Sequence, residues 1–448
     1  MGGSSMALID RIKDRSARMA IVGLGYVGLP LAVGFAKAGY PVLGIEVDAD
    51  RVDTINRGIS YIPDVDTPDL AALVSGGKLR ASTNYDELAE RDIIFICVPT
   101  PFTSSKAPDI SFIVQAAKGI SSRLKAGQLV ILQSTTHPGT TEEDVRPILE
   151  SSGLTAGQDF HLAFCPERIN PGDRKFGVEN TPKVVGGLTD ESTELAAQLL
   201  ASLGASVHRV SSPSTAEMAK LLENIFRNVN IALVNELAKL CERMQIDIWE
   251  VIDAASTKPF GFMPFYPGPG VGGHCILVDP YYLSWKAREY DFYTRFIELA
   301  ADVNQSMPYH TVEKVVQALD SRDRALRNAK ILVLGVAFKK DIDDARNSAA
   351  ERVIELLLAQ RADVVYNDPY ISSFEVGGNA FHRERVVMES VALDDDRLSW
   401  ADCVLVVAGH SAYDYGHIVR TANLVVDTCN ATKGIAGGDR VFKIGRSH

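Results

Sequence analysis

The stretch from Gly270 to Pro280, Gly-Val-Gly-Gly-His-Cys-Ile-Leu-Val-Asp-Pro, sets one cysteine behind a run of glycines and one carboxylate four residues beyond it. Glycine lets a backbone approach a ligand closely and adopt conformations closed to other residues. A cysteine held there, Cys275, can serve as a covalent nucleophile, and Asp279 one helical turn on can assist its proton traffic. The same pattern also fits a glycine-rich turn around an inert, buried thiol. The rest of the chain has to decide between the two.

The elements that would position such chemistry begin near the N-terminus. Arg18 to Val22 read as a short buried strand, Gly23-Leu24-Gly25-Tyr26-Val27-Gly28 follows, and Leu29 to Lys37 has helical periodicity. Pro41 to Glu46 is a second strand ending in a carboxylate. Strand, GxGxxG, helix, strand and acid come in the order of a dinucleotide-binding βαβ unit. The first glycine makes the turn, the second admits the pyrophosphate and the third lets helix pack on strand. The helix N-terminus then faces the phosphate charge. Glu46 is placed for ribose hydroxyls, which favours NAD over NADP. Arg51 either lies along the adenosine or is an ordinary exposed arginine.

The alternation continues to a rim of polar strand ends. Asp92 to Val98 leads into Pro99-Thr100-Pro101, a helix follows from about Ile110 to Leu124, and Gln128 to Leu132 leads into Gln133-Ser134-Thr135-Thr136. Ligands of open parallel sheets sit beyond the carboxyl ends of the strands. Thr100 and Thr135 are therefore cofactor or substrate candidates, or else plain loop hydroxyls. A further strand from Phe160 delivers Glu167, Arg168 and Asn170 to the same rim. From Ser214 a helical pattern runs to about Met244, long for a globular helix, and suited to a spine that also buries a face against another subunit. Lys220 and Asn224 project from one side of it, though a lysine on a helix is most often solvated. The Pro-, Gly- and aromatic-rich segment Lys258 to Gly270 reads as an ordered wrap of the kind built around ligands. Beyond a polar patch at Ser321 to Asn328 the α/β rhythm restarts with strands at Lys330, Asp363, Asp402 and Asn423 and a helix from Ser348 to Gln360. Its first turn lacks GxGxxG, so it should carry a different phosphate-bearing ligand, with Lys339 and Arg346 as charge partners.

Bulk properties narrow the classes. A chain of 448 residues is too long for one ordinary core. With 46% hydrophobic and 23% charged residues it has a normal globular balance. A net charge of -11 disfavours a nucleic-acid partner, and no apolar run is long enough to span a bilayer. Six scattered cysteines without CxxC pairs or metal-type spacing point to free thiols, no metal and a cytoplasmic location. The expected division is a leader at 1–17, an NAD-binding domain at 18–210, a central helical and catalytic-loop region at 211–320, and a nucleotide-binding α/β domain at 321–448. The fold class is α/β, with two doubly wound Rossmann-like domains joined by a long central helix.

Taken in order, GLGYVGLP, CVPTP, QSTTHPGTT, CPERINPG, AEMAKLLEN, GVGGHCILVDP and FKKDIDDAR resemble the UDP-glucose/GDP-mannose dehydrogenase family over nearly the whole chain. The resemblance implies NAD-dependent four-electron oxidation of a UDP-sugar at C6, with the C-terminal domain gripping UDP and the central region dimerising. By motif match Cys275 is the nucleophile and Asp279 its partner. Lys220 and Asn224 stabilise the oxyanion, Glu167 is the base for hydrolysis, and Thr135 positions water or cofactor. Gly23, Gly25, Tyr26, Val27, Gly28, Glu46, Arg51, Pro99, Thr100, Thr135 and Arg346 would face NAD. Glu167, Arg168, Asn170, Lys220, Asn224, Phe265, Gly272 and Lys339 would face the sugar nucleotide, with Arg295 as a candidate reaching a neighbouring subunit.

UDP-glucose dehydrogenases usually carry a second glutamate where this chain has Pro171. That departure, with KPFGFMP and RFIEL, resembles the branch acting on UDP-N-acetylhexosamines, UDP-N-acetyl-D-glucosamine first. UDP-N-acetylgalactosamine, UDP-N-acetylmannosamine and UDP-glucose are the alternatives. A two-electron β-hydroxyacid dehydrogenase would share the layout but has no use for Cys275. An NAD-sensing scaffold would have no use for the Lys220, Asn224, Cys275 and Asp279 set.

Overall fold

The structure, a computed structural model, describes residues 7–101, 108–169, 176–273 and 275–447, with the side chains of Cys275, Leu277 and Val278 set aside. The chain forms two compact units, Met1–Glu223 with Tyr281–Phe292 and Asn224–Pro280 with Tyr293–His448.

Eight strands build the sheet of the first unit: β1 (Met19–Val22), β2 (Val42–Ile45), β3 (Leu79–Ser82), β4 (Ile93–Ile96), β5 (Leu129–Leu132), β6 (His161–Phe164), β7 (Lys183–Gly187) and β8 (Val207–Arg209). Their order is β3-β2-β1-β4-β5-β6-β7-β8. All pairs are parallel except β6 with β7. The first six strands have the 3-2-1-4-5-6 order of a dinucleotide-binding sheet, whose switch point lies between β1 and β4. Val22 pairs with Ile45 on one side and Ile96 on the other, so the turns after β1 and β4 leave the sheet together. Short runs such as Met-Ala-Ile-Val and Ile-Ile-Phe-Ile are apolar throughout because both faces of a parallel sheet are covered. Met19, Ile21, Ile93 and Phe95 enter one core, while Ala20, Val22, Ile94 and Ile96 enter the other. The helix α1 (Gly28–Lys37) lies on the first of these through Phe35 and its neighbours.

The expectation that residues 1–17 stand outside the fold fails for Leu8–Lys13. That segment is a helix whose Leu8 and Ile12 are buried in the first core, and Tyr40 Oη donates to the Ile12 carbonyl at 2.8 Å. Leucine and isoleucine four residues apart are enough for one amphipathic turn.

The helix α2 (Pro213–Met244) spans 32 residues, as its periodicity predicts. The division between units falls within it, and again within α3 (Cys275–Ala287) after Pro280. The second unit adds α4 (Arg295–Asp320), a 26-residue helix containing Pro308, which the sequence reading did not foresee. It also adds β9 (Lys330–Leu334), the helix α5 (Ala349–Ala359), β10 (Asp363–Asn367), β11 (Ser373–Gly377), β12 (Arg385–Glu389), β13 (Cys403–Val406), β14 (Val425–Asp427) and β15 (Val441–Lys443). The order β10-β9-β13-β14-β15 is parallel throughout, a second doubly wound sheet, with β11 and β12 paired separately and antiparallel. No helix among the described residues is long and apolar enough to cross a membrane.

Candidate active site

The three glycines of the first turn do three different things. Gly23 has φ 90°, and a Cβ there would stand 2.7 Å from the Cys97 carbonyl oxygen. At Gly28 it would stand 1.8 Å from the Gly23 carbonyl oxygen, so helix and turn meet without room for a methyl. At Gly25 it would meet nothing within 4 Å. That open cradle, at the start of α1, fits a pyrophosphate. Tyr26 is exposed, while Val27, directly before α1, is half-buried.

Glu46, which ends β2, is buried, and its carboxylate accepts from Leu24 N at 3.1 Å, Val47 N at 2.9 Å and Asp48 N at 3.3 Å. It braces the glycine turn through Leu24 N. Arg51 pairs with Asp48 at 3.6 Å and sits over the Tyr61 ring. Pro99 is exposed and Thr100 buried, the Thr100 carbonyl accepting from the Tyr282 hydroxyl of α3.

At the far ends of β5 and β6, Thr135 is half-buried. Glu167 Oε1 accepts from Arg168 N at 2.7 Å and Ile169 N at 2.8 Å, and Oε2 accepts from Gln133 Nε2 at 2.8 Å. Arg168 is turned away to Glu223 (2.6 Å) and the Pro182 carbonyl (2.7 Å). Asn170 lies outside the described residues. Lys220 is buried on α2.

One turn before it, Glu217 is fully buried and accepts from Gly139 N (2.7 Å), Thr141 N (3.0 Å) and Thr141 Oγ1 (2.6 Å). Burial pushes its carboxyl up to about 7, against the pull of those donors. Glu217 therefore docks the segment after Thr135 onto the helix that carries Lys220. Sequence reasoning missed it; its signal was an acid on the inward face of an amphipathic helix.

In the second unit Asn224 is buried, and its Nδ2 donates to Asp279, itself buried one turn past the start of α3. Cys275 begins that helix. The glycines serve the protein's own packing: a Cβ at Gly272 would stand 2.9 Å from both Asn347 O and Phe338 Cβ, and one at Gly273 3.0 Å from the Phe338 ring. Gly273 N also donates to the Arg346 carbonyl. The stretch is thus seated on the turn after β9. Upstream, Gly268 N donates to Asn235 Oδ1, whose Nδ2 donates to Asn304 Oδ1, and Asn304 Nδ2 donates to Asn228 Oδ1. This buried amide ladder between α2 and α4 fixes the loop that feeds Cys275, and it too went unforeseen. Its trace in the sequence is Asn224, Asn228 and Asn235 at helical spacing.

Phe265 is half-buried, edge-on to Phe226 at 5.6 Å. Lys339 is half-buried with its ammonium over Phe338, Arg346 is exposed and grips Asp344 at 2.6 Å, and Arg295 opens α4 exposed. At the end of β10, Asp368 takes the place that Glu46 has in the first unit. Its Oδ2 accepts from Val336 N, Ala337 N and His410 Nε2, and its Oδ1 from Tyr370 N and Ile371 N. Burial raises the Asp368 carboxyl, but His410 and the backbone donors outweigh it and hold it below the usual range.

The chain matches the UDP-glucose/GDP-mannose dehydrogenase family models for the NAD binding domain over residues 17–203, the central domain over 214–306 and the UDP binding domain over 332–434. It is 40% identical over 361 residues to UDP-N-acetyl-D-glucosamine 6-dehydrogenase of Pseudomonas aeruginosa, covering 80% of this chain and 84% of that protein. The solved UDP-D-ManNAc dehydrogenase of Pyrococcus horikoshii aligns with a TM-score of 0.86 at 32% identity, covering 96% of this chain and 99% of that one. The NDP-N-acetyl-D-galactosaminuronic acid dehydrogenase of Methanosarcina mazei Go1 aligns with a TM-score of 0.79 at 31% identity, covering 99% and 98%.

Proposed function

The chain belongs to the UDP-glucose/GDP-mannose dehydrogenase family, and from that premise we propose that it oxidises the C6 hydroxyl of UDP-N-acetyl-D-glucosamine to the carboxylate through Cys275. The family supplies the reaction class and the NAD-binding domain. The 40% identity to a UDP-N-acetyl-D-glucosamine 6-dehydrogenase supports the sugar, as does Pro171 where a second glutamate would stand. The observation that carries the catalytic reading is the buried Asn224–Asp279 pair, with Asp279 one turn beyond Cys275.

Gly23, Gly25, Gly28 and Glu46 would hold NAD, and the bound cofactor supplies the hydride acceptor for two successive oxidations. An amide nitrogen carries two hydrogens, so Asn224 keeps one for a substrate oxygen while the other is held by Asp279. The Lys220 ammonium and that N–H stabilise the alkoxide that develops at C6, each worth on the order of 3 kcal/mol. The Cys275 sulfur adds to the aldehyde-level carbon as a thiohemiacetal, and the second oxidation leaves a thioester. Water then attacks the carbonyl, Glu167 takes its proton, and the C–S bond breaks to give the carboxylate and the Cys275 thiol. The other five cysteines are poor rivals, because burial pushes each thiol up, Cys165 and Cys403 to about 12. All five are unpaired, which suits a reducing cytoplasm. Exposed Phe226, Leu233, Leu237, Leu240 and Met244 recur along α2 and support a homodimer on that helix, readable by sedimentation.

The test is NADH formed per UDP-sugar consumed, across UDP-N-acetylglucosamine, UDP-N-acetylgalactosamine, UDP-N-acetylmannosamine and UDP-glucose. Two NADH per sugar and the highest kcat/KM on UDP-N-acetylglucosamine are expected. One NADH per sugar sinks the thioester route, and a clear preference for another sugar sinks the substrate. Cys275→Ser should still bind NAD and make no acid.

A further inference from the structure

We propose that Lys183 is a positioning residue for product release, a buried counter-ion that holds the Glu167 carboxylate docked on the turn Arg168–Ile169. This rests on the reading of Glu167 as the base of the hydrolytic step.

Lys183 opens β7, and its side chain is 0% exposed. Lysine stems normally carry their charge out to water, and a desolvated ammonium costs several kcal/mol unless it is paired. Among the described residues Lys183 Nζ has no hydrogen-bond partner. Among those same residues, one anion lies within ion-pairing range of it, Glu167 Oε1 at 3.5 Å. Among the described residues the neighbouring cation, Arg168, is committed to Glu223 and the Pro182 carbonyl. Among the described residues the thiols of Cys97 and Cys165 also face this strand end, and burial keeps them protonated.

The carboxylate's acceptor sites can be counted. Oε1 is filled by two backbone N–H groups with Lys183 beside them, and Oε2 receives Gln133. A carboxylate has about four lone-pair positions, so one on Oε2 remains for a water. That oxygen would take the proton as the water oxygen bonds to the thioester carbon and the C–S bond breaks. Without the ammonium the carboxylate loses the cation beside Oε1, and its open Oε2 position is no longer held toward the water.

The experiment uses the full chain with NAD⁺ and UDP-N-acetylglucosamine, reading NADH per site, acid release and the intact mass of quenched enzyme. Lys183→Met and Glu167→Gln should both form two NADH per site and then accumulate a covalent adduct on Cys275, with acid release slowed about 10²-fold. Lys183→Arg, which keeps a cation at this position, should restore release. The double variant should be no slower than Glu167→Gln alone. If Glu167→Gln accumulates no adduct, the reading of Glu167 fails and the proposal with it. If Glu167→Gln accumulates adduct and Lys183→Met does not, or the two effects add, the counter-ion role alone is overturned. Should Lys183→Met fail to fold, the double variant, which buries no unpaired charge, should fold; equal instability of the two overturns the assignment.

Discussion

The glycine turn offers a test in which stability and cofactor binding separate. Gly25→Ala adds a methyl that meets nothing within 4 Å, whereas Gly28→Ala puts one 1.8 Å from the Gly23 carbonyl oxygen. Contact between carbon and oxygen needs more than 3 Å, so at Gly28 the turn or α1 must move by over an ångström. Forcing a methyl into packed surroundings costs about 3 kcal/mol, which lowers Tm by roughly 6–12 °C for a unit of about 150–250 residues. At Gly25 the fold should be untouched, with Tm within about 1 °C of wild type. The methyl there stands where the pyrophosphate would approach the backbone. A tenfold loss of NAD affinity, about 1.4 kcal/mol, is the least it should cost. Thermal melts and NADH fluorescence titrations read the two quantities independently. If Gly25→Ala binds NADH as wild type does, or melts as low as Gly28→Ala, the open cradle is not the phosphate site.

Glu217→Gln tests the buried carboxyl raised to about 7 from an ordinary 4.5. Between those values the native chain holds a proton the unfolded chain has released, so this group's contribution to stability is full in acid and is lost as pH rises through 7. The wild-type stability should therefore fall relative to Glu217→Gln by on the order of 3 kcal/mol between pH 4 and 8; a flat difference in denaturant titrations refutes it. Asn235→Ala removes the acceptor for Gly268 N and the donor to Asn304. It should cost about 1–3 kcal/mol and lower kcat while NADH affinity holds; an unchanged kcat would show that the amide ladder does not position the Cys275 loop.

The elements that could be read from sequence were those whose cause is local. Val22 and Ile96 end apolar runs and are followed by turn chemistry, so strands and rim were plain, and α2 announced itself by period. The segment Leu8–Lys13 escaped because two apolar residues on one turn carry little signal without the core they fill. The helix α4 escaped because Pro308 interrupts its pattern. Lys183 gave no signal and Glu217 only that of an acid on the inward face of a helix, because their meaning lies in contacts with Glu167 and Thr141 that are far away in the chain. The motif around Cys275 was plain, but its glycines were assigned to a ligand when Phe338 and Asn347 already demand them.

Glu46 and Asp368 end corresponding strands of the two sheets, and each accepts from the first backbone N–H beyond the strand-end glycine, Leu24 and Val336. What separates them is spare capacity. Glu46 receives three donors, whereas Asp368 receives five, the His410 ring among them, more than a carboxylate's lone pairs can serve one to one. An acid so occupied cannot recognise a ribose diol. Two sheets of the same layout therefore end in acids of different capacity, since the one at Asp368 is filled by an internal imidazole as well as by backbone. The difference rests on hydrogen-bond arithmetic at a single side chain, and His410 is the donor that completes it.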